Sequence, residues 1–252
     1  MKLFILKKKS LVIVSIVLAI ILCMFASVFV ITNASAKEKK TPIYCVKTEK
    51  KQVAITFDAC WGAEKTLDIL AVLEHYDVKA DFFVVQSWAE KYSDKLSTLA
   101  KSGRIEVGTH SKSHPHMASL TKKQIGEELD LSVKAIEKII GKAPTLFRPP
   151  YGEYNDTLIS ECESRSLQAI QWDVDSLDWK GLSASQMSAR VLKGAKEGSI
   201  ILMHNDGEHT VEALPLIILG LKSKGYEFVF VSELLYKDNY IIDSSGKQVP
   251  TK

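Results

Sequence analysis

The fold class is most clearly predicted by residues 53–85, VAITFDACWGAEKTLDILAVLEHYDVKADFFVV. The two short apolar runs of this stretch, Val53–Phe57 and Ala80–Val85, lack polar alternation, which predicts strands buried on both faces. Between them Leu67, Leu70, Val72 and Leu73 recur at helical spacing, so one face of a helix is expected to be apolar. A buried strand, a helix and a second buried strand together predict a parallel βαβ unit.

The same alternation of apolar runs and amphipathic stretches continues along the chain. Apolar residues between Ile125 and Ile140 recur at spacings of three and four, which predicts a second amphipathic helix. Asn155 and Ser185 are of the residue types that begin helices and are the expected helix starts further along the chain. Five further runs predict strands: Arg104–Gly108, Thr145–Phe147, Leu167–Trp172, Ser199–Met203 and Glu227–Val231. Seven such units predict a parallel α/β fold, either a closed or slightly open barrel or a doubly wound sheet. No G-x-G-x-x-G follows a strand, so a dinucleotide-binding sheet has little support.

An uncharged segment near the N-terminus predicts that most of the chain works outside the cytoplasm. Leu11–Thr32 is free of charge, and a helix of 22 residues spans ~33 Å, about one hydrocarbon core. Lys7–Lys9 precede it, which favours a cytoplasmic N-terminus. An uncleaved single-pass membrane anchor is the favoured interpretation. Ala34-Ser35-Ala36 resembles a signal-peptidase site, so a cleaved signal peptide and a secreted protein are the alternative.

Composition and charge indicate one globular domain after this segment. The chain has 252 residues, of which 46% are hydrophobic and 25% charged, which excludes a disordered or collagen-like protein. Residues 1–36 hold four lysines and no acid, so the remaining 29 basic residues face 30 acidic ones. That balance gives no support to a nucleic-acid-binding surface. The predicted organisation is a tip and anchor or signal peptide (1–36), a linker (37–47), a domain (48–237) and a C-terminal tail (238–252).

The cysteines do not suggest a disulfide framework or a metal cluster. Outside the apolar segment the chain has Cys45, Cys60 and Cys162, an odd number, so at least one thiol is free or pairs between chains. Cys162 lies on a helix-like stretch, where a small buried apolar residue is expected.

Polar side chains suited to chemistry follow several predicted strands. They are Asp58, His110, Arg148, the pair Asp173 and Asp175, and His204. In a parallel barrel such positions share one rim, where side chains from distant parts of the sequence converge. Four of the six histidines also lie at these strand ends: His110, His114, His116 and His204. This convergence predicts an enzyme.

His110 and His114 stand four residues apart in T-H-S-K-S-H. If this loop makes a helical turn, both imidazoles point the same way and suit zinc or a similar divalent ion. Two surface histidines are the alternative, and their position after a buried strand favours the metal. His116 is expected to be a neighbour of this pair and not a ligand.

Two further strand ends suggest an acid and a base. A carboxylate at Asp58 must be paired, hydrogen-bonded or metal-bound, and could act as a general base, with a helix N-cap as the alternative. His204 follows I-I-L-M and is either a satisfied core histidine or an acid–base group. An acid of the segment Asp175–Trp179 near His204 would raise its pKa and make it a better general acid. Trp179 could wall a small apolar pocket.

The segment Arg148–Gly152, R-P-P-Y-G, is stiffened by its two prolines. A stiff turn can aim a backbone N–H at a developing oxyanion, and Arg148 could hold a carboxylate in a bidentate pair. A rigid loop with a surface arginine is the alternative.

Taken together, these motifs resemble the polysaccharide deacetylase family, also called the NodB-homology domain. The motifs occur in the family's order at similar spacing over roughly residues 48–235: T-F-D (56–58), H-x3-H (110–114), R-P-P-Y (148–151), D-S-L-D-W (175–179) and L-M-H (202–204). The single predicted anchor, the A-C-W-G after T-F-D and the longer W-D-V-D-S-L-D-W look most like the sporulation-associated, membrane-anchored branch.

The resemblance implies a distorted (β/α) barrel of about seven strands that removes acetyl groups from N-acetylated sugars by metal-assisted hydrolysis. Zinc is the expected divalent ion and N-acetylated cell-wall glycan the expected partner, besides the membrane. The implied roles are catalytic base (Asp58), metal ligands (His110, His114), holder of the base (Arg148), oxyanion donor and substrate contact (Tyr151), general acid with its orienting carboxylate (His204, Asp178), and acetyl pocket (Trp179, Leu202).

One departure from the family pattern concerns the metal. Ala59 stands where the family usually has a second Asp that completes a metal triad, and two imidazoles bind a divalent ion less firmly than three protein ligands. Three hypotheses remain: a metal-assisted peptidoglycan N-deacetylase, a degenerate relative that binds glycan without turnover, and a metal-independent or differently assembled hydrolase on the same barrel. The first is favoured because base, acid, arginine and oxyanion turn are all present. The sequence does not separate N-acetylglucosamine from N-acetylmuramic acid.

Overall fold

The computed structural model describes residues 13, 16–21 and 39–251. Within these ranges no helix is long and apolar enough to cross a membrane. The predicted span Leu11–Thr32 lies for the most part outside the described residues, and the signal-peptidase-like site lies wholly outside them. Residues 40–252 form one compact unit, which contains the predicted domain.

A curled sheet of parallel strands forms the centre of this unit. Its strands run in the order β6-β5-β4-β3-β2-β8-β7, and β9 pairs with the start of β2. The bounds are β2 (Gln52–Ala59), β3 (Ala80–Val84), β4 (Ile105–Thr109), β5 (Leu146–Phe147), β6 (Gln168–Ala169), β7 (Val174–Asp175), β8 (Ile200–His204) and β9 (Glu227–Phe228). Around the sheet the seven strands follow chain order, with an opening between β6 and β7. The predicted parallel α/β fold is confirmed. The strand order is that of an open, distorted barrel, because in a doubly wound sheet the strand order changes direction part-way across the sheet.

Helices cover the outer face of the sheet. Their bounds are α1 (Thr66–His75), α2 (Gln86–Lys91), α3 (Ser93–Lys101), α4 (Lys122–Ile140), α5 (Asp156–Glu163), α6 (Ala184–Gly194), α7 (Thr210–Ser223) and α8 (Val231–Leu234), and 3-10 turns occupy Met117–Ser119, Pro150–Gly152 and Asp178–Lys180. Alternate residues of β2 (Val53, Ile55, Phe57) belong to the core cluster that contains the apolar residues of α1 and α7. The residues between them, Thr56 and Asp58, are left for the interior of the barrel.

Local sequence signals explain where the helices begin and end. α4 begins at a capping box of Thr121 and Gln124 and ends at Gly141, whose φ of 76° is the left-handed conformation that glycine adopts readily. Asn155 caps α5, as its residue type predicts. The cap of α6 is Ser183, not Ser185 as predicted, because the Ser183 side chain accepts the N–H of Gln186.

The structure corrects one predicted strand, the predicted position of one rim residue and one predicted helix face. The run Leu167–Trp172 ends as a strand at Ala169, and a separate short strand, β7, follows it. Asp173 therefore lies at the start of β8, where its carboxylate accepts the Ile200 N–H at 2.9 Å, and is absent from the rim. In α1, Leu67 is exposed and Ile69 is buried, because the buried face follows the helical period of Ile69, Leu70 and Leu73.

The segments predicted as a linker and a tail pair with each other. β1 (Cys45–Val46) is parallel to β11 (Lys247–Pro250), which is antiparallel to β10 (Tyr240–Ile242). Three strands at two ends of the sequence thus form a second small sheet. The prediction missed it because each strand is too short and too polar to show an apolar period of its own.

Candidate active site

Two neighbouring strands bring the predicted base and acid side by side. β2 and β8 are parallel, and their register pairs Asp58 with His204 at the carboxyl ends of both strands. Because parallel strands end at the same edge of a sheet, these two residues lie on one rim although 145 residues separate them along the chain. The other predicted site residues lie on the loops that follow the strands at this rim.

Asp58 is held by a buried arginine. Arg148 Nη1 donates to Asp58 Oδ1 at 2.8 Å and to Thr56 Oγ1 at 2.7 Å, while its Nη2 donates to the Gln171 carbonyl at 3.1 Å. The expected bidentate pair is thus a single hydrogen bond, because the second arm of the guanidinium is used by the Gln171 backbone. The Arg148 guanidinium also lies 4.1 Å from the Phe83 ring centroid, and this cation–π contact stabilises the positive charge of a fully buried side chain.

The surroundings keep the Asp58 carboxyl ionised. Burial alone would raise the pKa of Asp58, but the positive charge of Arg148, aided by His204 and by the hydrogen bond from Arg148, holds this pKa below its usual value. Asp58 is therefore a carboxylate at neutral pH, which is the form that can accept a proton.

His110 lies between the arginine loop and Asp58. Its Nδ1 is 2.7 Å from the Arg148 carbonyl oxygen, and its Nε2 is 3.6 Å from Asp58 Oδ2. A carbonyl accepts a hydrogen bond, so the proton sits on Nδ1 and the lone pair of Nε2 faces the carboxylate side. Burial lowers the pKa of His110, so its imidazole is neutral at pH 7.

His114 reaches the same place by a route that differs from the predicted helical turn. The loop is not helical: Ser111 and His114 have φ of 76° and 58°, and His114 N–H donates to Ser111 Oγ at 2.9 Å. The rings of His110 and His114 nevertheless lie 4.9 Å apart. Burial lowers the pKa of His114 to about 4, so this imidazole is neutral as well.

Glu128 of α4 fixes this histidine loop, a role that sequence reasoning missed. Its Oε2 accepts the backbone N–H groups of Lys112 at 3.0 Å and Ser113 at 2.9 Å, and its Oε1 accepts the Ser113 hydroxyl at 2.7 Å. One carboxylate therefore takes three donors from the segment between the two histidines. No motif in the sequence marks Glu128, because its partner loop is 15 residues away and its helix face looks merely polar.

His204 forms a couple with Asp178. His204 Nδ1 lies 2.8 Å from Asp178 Oδ1, and the His204 N–H donates to Asp178 Oδ2 at 2.6 Å. The Thr210 hydroxyl donates to the same oxygen at 2.9 Å, a contact that the sequence analysis did not foresee. Burial alone would lower the pKa of His204, but the hydrogen bond and charge of Asp178 outweigh it and raise this pKa above its usual value. The imidazolium is thereby stabilised as a proton donor.

Tyr151 lies beside His114, on the turn that its neighbouring prolines stiffen. Its φ is 59°, and it is the second residue of the 3-10 turn Pro150–Gly152, so its N–H has no acceptor within that turn. Its ring packs edge-on to His114, with centroids 4.5 Å apart, and stacks on His116 at 4.3 Å. His116 Nδ1 is 2.9 Å from a Glu153 carboxylate oxygen, so His116 is a neighbour of the pair.

The residues predicted to line an acetyl pocket differ in their surroundings. Leu202 is buried in β8, whereas the Trp179 side chain is 58% exposed with the Lys180 ammonium 4.7 Å from its ring centroid. Their role as a pocket stays a prediction.

The donor set agrees with a weakly held divalent ion. His114 Nδ1 is buried without a hydrogen-bond partner, and both imidazoles are in the neutral form that binds metals. Ala59 is fully buried in the apolar core and brings no ligand. Within residues 39–251 no group of three or more His, Cys, Asp and Glu side chains is arranged to bind a metal. His110 and His114 would therefore supply two protein ligands, which is fewer than a usual structural or catalytic zinc site has.

Comparisons with known proteins relate the chain to one family. The family model described as polysaccharide deacetylase matches residues 46–170. A Bacillus cereus peptidoglycan-N-acetylglucosamine deacetylase is 36% identical over 202 residues, covering 79% of this chain and 73% of that protein. The Bacillus subtilis peptidoglycan-N-acetylmuramic acid deacetylase PdaC is 38% identical over 189 residues, covering 75% of this chain and 40% of that protein. Across the first relatives matched, the alignments cover from 39% to 73% of the relatives' own lengths.

A solved structure shares the fold but is named for a lost activity. The CE4 family pseudoenzyme from Bacillus anthracis has a TM-score of 0.75 and 30% identity, covering 84% of this chain and 73% of that chain. A mutant of it is described as having restored enzymatic activity. The similarity in sequence and in fold thus extends to catalysts and to a pseudoenzyme alike.

Proposed function

Because the chain belongs to the polysaccharide deacetylase family, we propose that it hydrolyses the N-acetyl group of amino sugars in peptidoglycan. The observation that carries this proposal is the register pair Asp58–His204, in which a carboxylate with a lowered pKa faces an imidazole with a raised one. Such a pair supplies a base and an acid at one rim, which hydrolysis of an amide requires.

The chain's own side chains supply each proton transfer. Asp58 takes a proton from the attacking water, and Arg148 keeps its carboxylate ionised and aimed. The backbone N–H of Tyr151 donates to the oxyanion that forms on the acetyl carbon. His204, protonated with the help of Asp178, gives its proton to the leaving nitrogen as the C–N bond breaks. The products are acetate and a free amine.

A divalent ion, with zinc the proposed species, would be held by His110 and His114. When bound it would supply Lewis-acid polarisation of the acetyl carbonyl and of the water. Support comes from the two neutral imidazoles and the unpaired Nδ1 of His114. Waters or substrate oxygens would complete the ligand set.

Glycan binding without turnover is the second candidate, and Ala59 is the observation that favours it. Ala59 stands where the family usually has a metal-binding Asp, and the pseudoenzyme from Bacillus anthracis shares this fold. The intact Asp58–Arg148 and His204–Asp178 couples argue for catalysis, since binding alone needs neither.

The decisive experiment measures acetate release from peptidoglycan and from N-acetylglucosamine oligomers by the purified chain with added Zn²⁺. We expect turnover, and we expect Asp58→Asn to reduce it by roughly 10²- to 10⁴-fold, the usual contribution of a general base. Circular dichroism of the variant should match the wild type. Binding of the oligomers without acetate release by the wild type would establish the second candidate.

We further propose that the chain is a single-pass membrane protein with its catalytic domain outside the cytoplasm. The support is the uncharged run Leu11–Thr32 behind Lys7–Lys9, and cell fractionation with protease accessibility tests it. A secreted protein is the other outcome if the Ala34-Ser35-Ala36 site is cleaved. A setting in spore formation rests on the motif resemblance, and expression timing tests it.

A further inference from the structure

A cavity lies directly beside the candidate active site. Its volume is about 440 Å³, and its lining includes Trp61, Ser87, Lys91, Ser113, His114 and Tyr151. His114 and Tyr151 belong to both places. A group that fills this cavity would therefore be a direct neighbour of the acetylated sugar at the rim.

Exposed aromatic rings form the walls that face solvent. Trp61 is 63% exposed and Tyr151 54% exposed, and their ring centroids lie 5.1 Å and 4.5 Å from that of His114. Large rings kept at a surface mark a binding site, and their flat faces match the apolar face of a sugar ring. The hydroxyls of Ser87 and Ser113 add hydrogen-bonding groups to the same lining.

The loop that carries Trp61 is fastened before any ligand arrives. The Gly62 carbonyl accepts Trp88 Nε1 at 2.6 Å and Asn205 Nδ2 at 3.0 Å. Lys65 Nζ donates to the Gly207 carbonyl at 2.8 Å on the other side of the loop. Because this loop is already held in one conformation, ligand binding does not have to order it, and the entropic cost of binding is smaller.

Lys91 is the only Lys, Arg, Asp or Glu side chain among the lining residues that the structure describes. The Lys91 ammonium lies 5.0 Å from the Tyr92 ring centroid and forms no ion pair within residues 39–251, although its charge helps to lower the pKa of the exposed Glu64. The nearby Glu64 accepts the Ala63 backbone N–H at 2.9 Å. The cavity thus presents aromatic faces, hydroxyls and one unpaired positive charge.

We propose that this cavity binds the sugar next to the one deacetylated and that Lys91 pairs with a carboxylate on that neighbouring sugar. The chemical class is a glycan in which an N-acetylated sugar alternates with a carboxylate-bearing one, as muramic acid carries on its lactyl ether. This inference rests on the proposed function and narrows its substrate. A neutral oligomer fills the same cavity but leaves Lys91 unpaired.

Two oligosaccharides of equal length test the proposal with the full chain. One is the neutral tetrasaccharide of N-acetylglucosamine, and the other alternates N-acetylglucosamine with N-acetylmuramic acid whose lactyl carboxylates are free. We expect the wild type to have a higher kcat/KM on the second. Lys91→Gln should lower the ratio of the two kcat/KM values about tenfold, the size of one charge-assisted contact. Raising the salt concentration should lower the same ratio, because salt screens the pair.

Lys101→Gln is the matched control. Lys101 ends α3 as Lys91 ends α2, and it is exposed and is not among the residues that line the cavity. Its loss should leave the ratio unchanged. An equal fall on both oligosaccharides in Lys91→Gln, or no fall on either, would overturn the proposal.

Calorimetry separates this inference from the proposed hydrolysis. Asp58→Asn and the double variant Asp58→Asn/Lys91→Gln are titrated with the same two oligosaccharides, so turnover does not enter. A preference for the carboxylate-bearing oligosaccharide that disappears with Lys91 supports the inference even if no acetate is ever released. Turnover by the wild type with no Lys91-dependent preference supports the hydrolysis and refutes the carboxylate contact.

Discussion

At the scale of single residues, the site depends on opposite shifts of two pKa values. Asp58 lies beside a buried guanidinium and stays ionised, whereas His204 lies beside a buried carboxylate and stays protonated to higher pH. Asp58 and His204 lie on adjacent strands. Each therefore needs a separate partner that contacts it and not the other residue. Arg148 and Asp178 do this with direct hydrogen bonds of 2.8 Å each.

The pH profile should report the His204–Asp178 couple. Because the pKa of His204 is raised, its acid form persists to higher pH than that of an ordinary histidine and is lost as the pH rises through that raised pKa. We expect kcat/KM to fall on the alkaline side, and Asp178→Asn to move that fall to lower pH. Full pH–rate profiles of both proteins give the comparison.

Glu208→Gln provides the control for this shift. Glu208 is an exposed acid on the same connection after β8 and makes no hydrogen bond through its side chain within residues 39–251. Its profile should coincide with that of the wild type. An alkaline limb that stays in place in Asp178→Asn would show that His204 is not the group that titrates.

At the scale of elements, helices outside the sheet hold loops at its rim. α4 contributes Glu128, which accepts three hydrogen bonds from the loop between His110 and His114. The turn Pro150–Gly152 is held through Gln171, whose Nε2 donates to the Gly152 carbonyl at 2.8 Å. Loops with left-handed residues at Ser111, His114 and Tyr151 keep one conformation because such outside contacts determine it.

Removal of Glu128 should weaken metal binding without touching a ligand. Glu128→Ala leaves Ser113 and Lys112 without their shared acceptor, so the two imidazoles lose their fixed spacing. We expect the Zn²⁺ affinity measured by calorimetry to fall roughly 10- to 100-fold, the usual effect of a residue that orients metal ligands. Glu137, an exposed acid further along the same helix, serves as the control when it is changed to Ala. Equal losses in the two variants would contradict the orienting role.

Two serines near the start of α6 give a matched test of helix capping. The Ser183 side chain accepts the N–H of Gln186, whereas Ser185 lies inside the first turn. We expect Ser183→Ala to lower the free energy of unfolding by ~1 kcal/mol and Ser185→Ala to change it by less than ~0.5 kcal/mol. Urea unfolding of both variants measures the difference, and the reverse order would refute the assigned cap.

At the scale of the whole molecule, the ends of the domain are tied together. β1 near residue 45 pairs with β11 near residue 247, so the small sheet joins the two ends of the unit. Gln248 is fully buried, and its side chain accepts the Tyr236 N–H at 2.8 Å and donates to the Tyr236 carbonyl at 3.0 Å. The last strand is therefore part of the folded unit.

Gln248→Ala should reveal this contribution. The change leaves two backbone groups of Tyr236 without partners in a partly buried place, and we expect a loss of about 1–3 kcal/mol in the free energy of unfolding. Ser245→Ala, in the exposed turn of the same segment, should cost less than ~0.5 kcal/mol. Equal stability of the two variants would mean that the C-terminal strand is dispensable.

The amino-acid sequence was enough to predict the parallel α/β class, the strand ends at which the candidate site lies, and the family. It could do so because buried parallel strands are continuous apolar runs and because five motifs stand directly after them. The pattern could not show the split of Leu167–Trp172, the cap at Ser183 or the small sheet of β1, β10 and β11. Those depend on contacts between segments that are far apart in the chain.

The contacts that hold the candidate site residues in place become visible only in the folded structure. The left-handed histidine loop, its anchor Glu128, the hydroxyl of Thr210 on Asp178 and the cavity around Lys91 each join elements that no local pattern connects. A side chain's partners follow from which strands and helices pack together, and the packing is fixed by the burial of apolar surface over the whole unit. The reactive side chains at the rim can thus be recognised from local motifs, whereas their orientation depends on contacts with residues distant in the chain.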